Sequence, residues 1–463
     1  MAEKVFEELD PILKPKSIAL IGASHDERKW GNVVLKNLIE KGYRGKVYPV
    51  NPKIKEVYGI KCYSSILDVK DDVECAYIAI PAPSVPDVLK ECGRKGVRGA
   101  IIISGGFSET GKSGEEMERE LVNIARKYGF RILGPNTMGV YSAAMNMNAT
   151  FTSFVPKPGH IAFVSQSGYF GGQLFSIANM EDIGFSFFVN VGNQSDVKVH
   201  EVIEYLLQDE NTRVIALYIE GIRDGRKFIE VCSKSSLKPI VVYKVGRSPT
   251  GARVALSHTA SLAGNDRIYD AVFEKIEAIR VLESRHLFEY AYALEGQPPA
   301  HGNRLGVISS SGGLCVSLSD VAYELGLEIP VLDEDTRAKI KSMLMPHASE
   351  PLNPIDTAGD LRSQVYLNVA EILLDKEYID IVVVSPTFGL IDSAEALKEE
   401  METVTGFCKI RKEYEKPIIF SIVNPSGASV KFLKRCGFPV YQTPEQCARA
   451  AHALYLFGKR FRR

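Results

Sequence analysis

One histidine, His258, lies in the segment VALSHTASLAG (254–264), among Ser, Thr, Ala and Gly residues. A core histidine would have bulky apolar neighbours, and a metal-binding histidine would have other ligands close by. Neither surrounds His258. A neutral imidazole can attack a phosphoryl group when an acceptor holds its second nitrogen. The segment is therefore a candidate for phosphoryl chemistry; the alternative is an ordinary histidine in a surface loop.

Glu220 is the acceptor that we expect for this imidazole. It stands at the end of the apolar run VIALYIEG (214–221), and His258 follows a second such run, PIVVYKVG (239–246). If both runs are strands of one parallel sheet, their carboxyl ends meet at the same edge. The carboxylate would then fix the ring tautomer and stabilise the positive ring formed by phosphorylation.

Two matched turns rich in Ser and Gly are candidate phosphate sites. The first contains Ser167 and Gly168, and the second contains Ser311, Gly312 and Gly313. Each follows an apolar run and precedes a helical pattern, and the free N–H groups at a helix start suit an anion. The alternative is that the two serines are only N-caps. The occurrence of the turn in two repeated domains favours a functional role.

A third turn, IGASHDERKWG (21–31), opens the chain's first βα unit. It lacks the GxGxxG pattern, and the next strand ends in VNPK, where an NAD site would have an acidic residue. Lys29 and Lys53 place positive charge where phosphates would lie. With the turns at 80–84 and 103–109, this favours a nucleotide with several phosphates over NAD. The alternative is a tight βα connection without a ligand.

These residues would be positioned by an α/β fold with parallel sheets. Apolar, β-branched runs alternate with helical segments of about 10–15 residues, the pattern of βαβ units. The segments HIAFVSQSG (160–168) and RLGVISSSG (304–312) align without a gap, which indicates two copies of one domain. Pro/Gly-rich segments at 154–160 and 295–303 separate three series of elements. The predicted domains are 1–145, 150–294 and 302–463.

Composition excludes several classes of partner. The 463 residues carry a net charge of -1, which points to neither nucleic acid nor a charged membrane surface. We find no apolar run of the ~18 residues that span a membrane, and no secretory signal. The eight cysteines form no CxxC pair, so we expect reduced thiols, no metal site and a cytoplasmic protein.

Residues 244–281, which include SHTASLAG, resemble the phosphohistidine segment of ADP-forming acyl-CoA synthetases, relatives of succinyl-CoA synthetase. Residues 17–53 resemble the coenzyme A domain of that family. GFSETG, ILGPNTMG (132–139), VSQSG and VGNQSDV (191–197) follow in the family's order. The resemblance covers essentially the whole chain. It implies a CoA-binding Rossmann-like domain followed by two flavodoxin-like domains.

The resemblance also implies roles for individual residues. Asn136 would lie near the acyl thioester, and the two Ser/Gly turns would begin helices that converge on phosphorylated His258. Gly172 stands where succinyl-CoA synthetases have a tyrosine, which argues against succinate as the acid. The resemblance implies contacts with coenzyme A at Gly22, Ser24, Lys53, Pro81, Ser104 and Gly105. Lys29 is added to this set because of its positive charge.

The reaction implied is acyl-CoA + ADP + phosphate ⇌ acid + CoA + ATP, through an acyl phosphate and a phosphohistidine. In the family that the chain resembles, ADP binds an ATP-grasp module, carried either on a fused extension or on a separate β subunit. The sequence contains no GxxxxGK[ST] loop and no further domain after YLFGKRFRR. The resemblance therefore implies ADP or ATP with Mg²⁺ on an ATP-grasp β subunit, in an α2β2 assembly. Two alternatives stay open. One is a non-catalytic CoA-binding regulatory module; the other is an NAD-dependent oxidoreductase, which the missing ribose acid disfavours.

Overall fold

The computed structural model describes residues 2–462 except 155, 236–237, 260–264 and 425. They fold into two compact units, Met1–Leu287 and Phe288–Arg463. The three domain ranges expected from the sequence stay predictions. Within the described part of the chain, no helix combines the length and the apolar character needed to cross a bilayer.

The first unit begins with a parallel sheet whose strands are buried because helices cover both faces. A short antiparallel pair, β3 and β4, follows β2. The strands are β1 (Ser17–Ile21), β2 (Lys46–Val50), β3 (Glu56–Val57), β4 (Ile60–Lys61), β5 (Cys75–Ile78), β6 (Gly99–Ile102) and β7 (Arg131–Leu133). The helices are α1 (Ala2–Leu13), α2 (Trp30–Glu40), α3 (Val85–Lys95) and α4 (Lys112–Tyr128).

A second sheet completes the first unit. Five of its strands are parallel, and an antiparallel hairpin extends it beside β11. The strands are β8 (Gly139–Ser142), β9 (Met147–Thr150), β10 (Pro158–Ser165), β11 (Phe185–Asn190), β12 (Val214–Ile219), β13 (Ile240–Lys244) and β14 (Ile279–Val281). The helices are α5 (Gly168–Met180), α6 (Val199–Gln208), α7 (Gly225–Cys232), α8 (Pro249–Thr259) and α9 (Asp266–Lys275).

Helix α10 (His286–Gly296) spans the division between the two units. The second unit contains one parallel sheet. Its strands are β15 (Leu305–Ser309), β16 (Ile355–Asp356), β17 (Ile381–Ser385), β18 (Ile418–Ser421) and β19 (Val440–Tyr441). Its helices are α11 (Gly312–Glu324), α12 (Glu334–Lys341), α13 (Ser363–Leu374), α14 (Ala394–Glu413), α15 (Ala428–Arg435) and α16 (Pro444–Gly458).

The three sheets share one order of parallel strands. Counted along the chain within each sheet, the order is 2-1-3-4-5, as in flavodoxin-like folds. Rossmann folds show the same order when their outer third strand is left out. The predicted α/β class with parallel sheets is confirmed. In such sheets, ligands bind beyond the carboxyl ends of the two strands between which the order reverses.

The internal repeat is visible in the element boundaries. Helices α5 and α11 have 13 residues each and begin at Gly168 and Gly312, at the offset found in the sequence. The serine that ends each preceding strand, Ser165 or Ser309, donates its hydroxyl to the carbonyl two residues later, at 2.7 and 3.1 Å. The two turns therefore share their local construction.

Two features differ from the sequence expectations. The β8–β9 hairpin was not predicted, because β9, with the sequence MNAT, has a single β-branched residue and so gives no sign of a partner strand for β8. The expectation that all cysteines are reduced was wrong, since Cys408 and Cys436 form a disulfide. Their separation of 28 residues carries no spacing signal, and the fold alone brings them together.

Candidate active site

A cavity of about 1120 Å³ lies in the first unit, beyond the carboxyl ends of β1, β5, β6 and β10. Its volume exceeds the usual range of roughly 300–1,000 Å³ for small-molecule sites. Nine of the residues predicted from the sequence line it: Gly22, Ser24, Lys29, Pro81, Ser104, Gly105, Asn136, Ser167 and Gly168. Turns that lie far apart in the sequence therefore share one space.

The charge of the cavity has one sign. Arg28, Lys29 and Arg223 line it, and none of its described lining residues is an Asp or a Glu. Arg28 also pairs with Asp26 at 3.0 Å, a hydrogen bond that lowers the pKa of that carboxyl to about 2. Asp26 is therefore ionised at neutral pH, and it holds the arginine beside the turn. Such a lining suits a ligand with several negative charges.

The β1 turn depends on two glycines. Gly22 has φ +98°, and a Cβ there would lie 2.3 Å from the carbonyl oxygen of Ala79. A Cβ on Gly31 would lie 2.1 Å from the carbonyl oxygen of Gly22. Helix α2 therefore packs directly on the turn, and its N-cap, Lys29, uses no side-chain cap. This close approach brings the positive end of the helix to the cavity.

Two aromatic rings form part of the cavity wall. Trp30 and Phe151 stack with ring centroids 4.2 Å apart and an interplanar angle of 12°. Trp30 is 53% exposed, so part of its indole remains open to solvent. An exposed aromatic surface beside cationic side chains can stack on a planar heterocycle.

Three motifs converge at the other side of the cavity. Asn136, in the left-handed region at φ +58°, donates to Asn193 Oδ1 at 3.2 Å. Asn193 donates to Glu109 at 2.6 Å and to Glu118 at 3.0 Å. Burial raises the pKa of Glu109, but hydrogen bonds from Asn193 and from the backbone N–H groups of Gly106 and Phe107 outweigh it and lower that pKa. The ionised carboxylate thus fixes Asn193, which in turn fixes Asn136.

The α5 turn presents its backbone to the cavity. Ser167 is the N-cap, yet its hydroxyl makes no capping hydrogen bond in the structure. The N–H groups at the start of this helix therefore have no side-chain acceptor from their own cap. Ser167 and Gly168 both line the cavity, as the anion-binding interpretation requires.

Glu220 lies at the end of β12 and is held next to the α5 turn. Its backbone N–H donates to Gln166 Oε1 at 2.6 Å, and that of Gly221 donates to the same oxygen at 3.0 Å. Gln166 Nε2 donates to the carbonyl of Gly221 at 2.6 Å. Tyr218 donates to the Glu220 carboxylate at 3.3 Å, and burial, followed by that negative charge, raises the pKa of Tyr218. Gly221 lines the cavity, whereas the 6% exposed Glu220 does not.

Two other predicted residues do not line the cavity. Lys53 is exposed, and its backbone N–H donates to Asn51 Oδ1 at 2.9 Å. Asn51 does line the cavity. Gly172 is buried on α5, where a Cβ would lie 2.5 Å from the terminal carbon of Met138. Met138, which separates Gly172 from the open space, is itself a lining residue.

The backbone of His258 is helical, which corrects the expectation of a loop. It lies in the last turn of α8, a helix that begins with Pro249 at its first position. The hydroxyl of Ser248 accepts from the Gly251 N–H at 3.0 Å and supports that start. The His258 side chain, and residues 260–264, lie outside the described residues.

The matched turn of the second unit has a different electrostatic setting. Ser311 is the N-cap of α11 and makes no side-chain capping bond in the structure, as at Ser167. A Cβ on Gly312 would lie 2.9 Å from the Asp356 carboxylate, so this helix start has a negative neighbour. Gly313 follows in the first turn of α11.

Comparisons with known proteins agree with this geometry. Residues 16–143 match a family model described as a CoA binding domain, and residues 158–294 match the succinyl-CoA ligase like flavodoxin domain. The chain is 40% identical over 455 residues to the alpha subunit of acetate–CoA ligase [ADP-forming] II from Pyrococcus furiosus, covering 96% of this chain and 97% of that one. The chain belongs to the ADP-forming acetate–CoA ligase family.

Within this family, two further similarities bear on length and structure. The acetate–CoA ligase [ADP-forming] of Methanocaldococcus jannaschii is 39% identical over 456 residues; these cover 97% of this chain but 63% of that protein. A solved dinucleotide-forming acetyl-coenzyme A synthetase 1 of Candidatus Korarchaeum cryptofilum, in complex with phosphate and ADP, is 36% identical. Its TM-score is 0.85, with 98% of this chain and 97% of that chain covered.

Several residues that line the cavity of this acetate–CoA ligase family member were not predicted from the sequence. Phe151 and Arg223 lie outside the segments singled out in the sequence, whereas Trp30 stands inside IGASHDERKWG (21–31) but was not itself expected to line a cavity. Gln166 and Asn193 stand inside VSQSG and VGNQSDV, two segments already singled out, so the position of each after a strand could have identified it. Their hydrogen-bond partners, 54 and 84 residues away in sequence, are defined only by the fold.

Proposed function

We propose that this chain is the α subunit of an ADP-forming acyl-CoA synthetase acting on acetyl-CoA or a related thioester. The observation that carries the proposal is the cavity of the first unit. It joins a cationic βα turn to the N-terminus of α5, so a polyanionic thioester and a phosphate fit in one continuous space.

Coenzyme A would bind with its phosphates at the β1 turn, where Gly22, Ser24 and Lys29 supply N–H groups and positive charge. Lys53 is a further candidate at the edge of this site. The thioester end would lie beside Asn136, which the Asn193–Glu109 hydrogen bonds hold in place. Pro81, Ser104 and Gly105 are proposed to contact the pantetheine arm between these ends.

In the proposed reaction, a phosphate oxygen attacks the thioester carbonyl. The C–S bond breaks, CoA leaves as a thiolate, and an acyl phosphate remains. A ring nitrogen of His258 then attacks phosphorus, the P–O bond to the acyl group breaks, and the free carboxylate leaves. Glu220 would stabilise the positive charge on the phosphorylated ring. The start of α5, at Ser167 and Gly168, would stabilise the negative charge on the phosphoryl oxygens, and the turn at Ser311, Gly312 and Gly313 is proposed as a second such helix end.

The last step would pass the phosphoryl group to ADP and regenerate the neutral imidazole. We propose that ADP and Mg²⁺ bind an ATP-grasp β subunit in an α2β2 assembly. Two similarities support a partner. The Pyrococcus furiosus relative is named a subunit alpha, and the chain spans 63% of the longer Methanocaldococcus jannaschii relative.

A titration monitored by tryptophan fluorescence tests the binding half of this proposal on the chain itself. Trp30 is the single tryptophan and lines the cavity, so its emission reports ligand binding without a partner or turnover. We expect CoA to change this emission with a saturable curve and NAD to leave it unchanged. Lys29→Ala should weaken CoA binding, whereas Lys70→Ala, an exposed lysine of the same sheet region, should not. A response to NAD and none to CoA would contradict the proposal.

A further inference from the structure

Met138 occupies a fixed position between the thioester end of the cavity and helix α5. Its backbone N–H donates to Asn190 Oδ1 at 2.6 Å, and the Asn190 side chain donates to the carbonyl of Ser165 at 2.8 Å. Asn190 is fully buried at the end of β11. Met138 is therefore tied through one amide side chain to the strand that leads into the α5 turn.

The side chain of Met138 runs along one face of the first turns of α5. A Cβ on Gly168 would lie 3.7 Å from Met138 Cβ, and a Cβ on Gly172 would lie 2.5 Å from Met138 Cε and 2.6 Å from Sδ. Gly168 and Gly172 are four residues apart and share that face. The two glycines thus make room for the thioether, whose other side faces the cavity.

We infer that Met138, seated on Gly172, forms the wall of the acyl subsite and limits the size of the acid. The inference rests on the proposed function, which places the thioester beside Asn136 and the phosphate at Gly168; Met138 lies between these positions. The thioether is uncharged and flexible, so it packs against a short aliphatic acyl group and offers no counter-charge to a second carboxylate. The substrate class is a small monocarboxylic acid.

Met138→Ala tests this inference, assayed as thioester cleavage with ADP, phosphate and the co-purified partner. A hydrophobic pocket discriminates roughly 10–200-fold for each methylene that it admits or excludes. We therefore expect the ratio of kcat/KM for isobutyryl-CoA over acetyl-CoA to rise by about tenfold or more. Met180→Ala is the matched control, because Met180 lies on the same helix but is 74% exposed. Its ratio should equal that of the wild type.

Gly172→Ala tests the contact from the other side. The new Cβ meets only the flexible end of Met138, which must move away from the helix and into the cavity. We expect a lower isobutyryl-to-acetyl ratio than in the wild type, and Gly172→Ala combined with Met138→Ala should restore it. Because alanine favours a helix, the folded state should persist, as circular dichroism would verify.

The outcomes separate this inference from the function on which it rests. An unchanged ratio in both Met138→Ala and Gly172→Ala, with acetyl-CoA cleavage intact, overturns the role of Met138 and leaves the proposed function standing. Absence of any acyl-CoA cleavage by the wild-type complex overturns both. A shifted ratio with double-variant rescue supports the inference.

Discussion

Gln166 joins the turn before helix α5 to the end of strand β12, and its replacement tests the importance of that link. The residue is 8% exposed. Its amide donates to Gly221 at 2.6 Å and accepts from the N–H groups of Glu220 at 2.6 Å and Gly221 at 3.0 Å. Gln166→Ala removes all three hydrogen bonds and leaves two N–H groups and one carbonyl without that partner.

The expected loss of stability follows from these contacts. Each such hydrogen bond contributes about 0.5–1.5 kcal/mol net, so the three amount to roughly 1.5–4.5 kcal/mol. Because Gln166 lines the cavity, water can reach the freed groups, and we expect a loss near the lower end, about 2 kcal/mol. Because the first unit spans Met1–Leu287, that loss corresponds to a fall in Tm of roughly 3 °C.

Differential scanning calorimetry of the intact chain measures this fall, and acid-labile phosphate in the complex measures phosphohistidine. We expect Gln166→Ala to lower the phosphoenzyme level by about tenfold or more, because the strand end that carries Glu220 loses its link to α5. Gln173→Ala, on the exposed face of the same helix, should change neither quantity. A Tm within about 1 °C of the wild type, with a normal phosphoenzyme level, would show that the Gln166 link contributes neither to stability nor to phosphorylation.

Three further changes have defined outcomes. Burial lowers the pKa of His452 to about 4, below its unfolded value, so stability should fall by up to about 3 kcal/mol between pH 6.5 and 4. His452→Gln should weaken that dependence of Tm on pH. An equally steep dependence in the variant and the wild type would contradict the assignment of this effect to His452. Replacing Cys408 and Cys436 by serine opens a loop of 28 residues and should cost about 3–4 kcal/mol; the unreduced, denatured chain should titrate as six thiols, and eight would contradict the disulfide. Gly31→Ala should weaken CoA binding, measured by tryptophan fluorescence, because its Cβ would lie 2.1 Å from a backbone oxygen. Gly225→Ala is the control, since the space around Gly225 is open. Equal CoA affinities of Gly31→Ala and the wild type would contradict the close approach.

The strands and their turns were predictable because each parallel strand is a short apolar run buried on both faces. The run at Ser17–Ile21 is fully buried in the structure, and Gly22, which follows it, lines the cavity. Parallel strands end at one edge of a sheet, so residues such as Pro81 and Ser104 could be grouped from the sequence alone. The repeat was also predictable, since the sequences that end at Gly168 and Gly312 share the same pattern of an apolar run followed by a Ser/Gly turn.

Contacts that depend on packing across long separations could not be predicted. Trp30 and Phe151 stack although 120 intervening residues show no pattern that pairs them. The helix that carries the backbone of His258 was missed because its small residues resemble a loop, while its start depends on a cap by Ser248. The position of the Asp356 carboxylate beside Gly312 could not be predicted either, since Asp356 ends a different strand, β16.

The most direct test of this account is the detection of phosphate on His258. The complex is incubated with acetyl-CoA and radiolabelled phosphate, and this chain is separated from its partner under alkaline conditions. We expect acid-labile, base-stable label on the chain, its loss in His258→Asn and a reduced level in Glu220→Gln. Label that persists in His258→Asn, or a wild-type chain that acquires none while the complex makes ATP, would contradict the account.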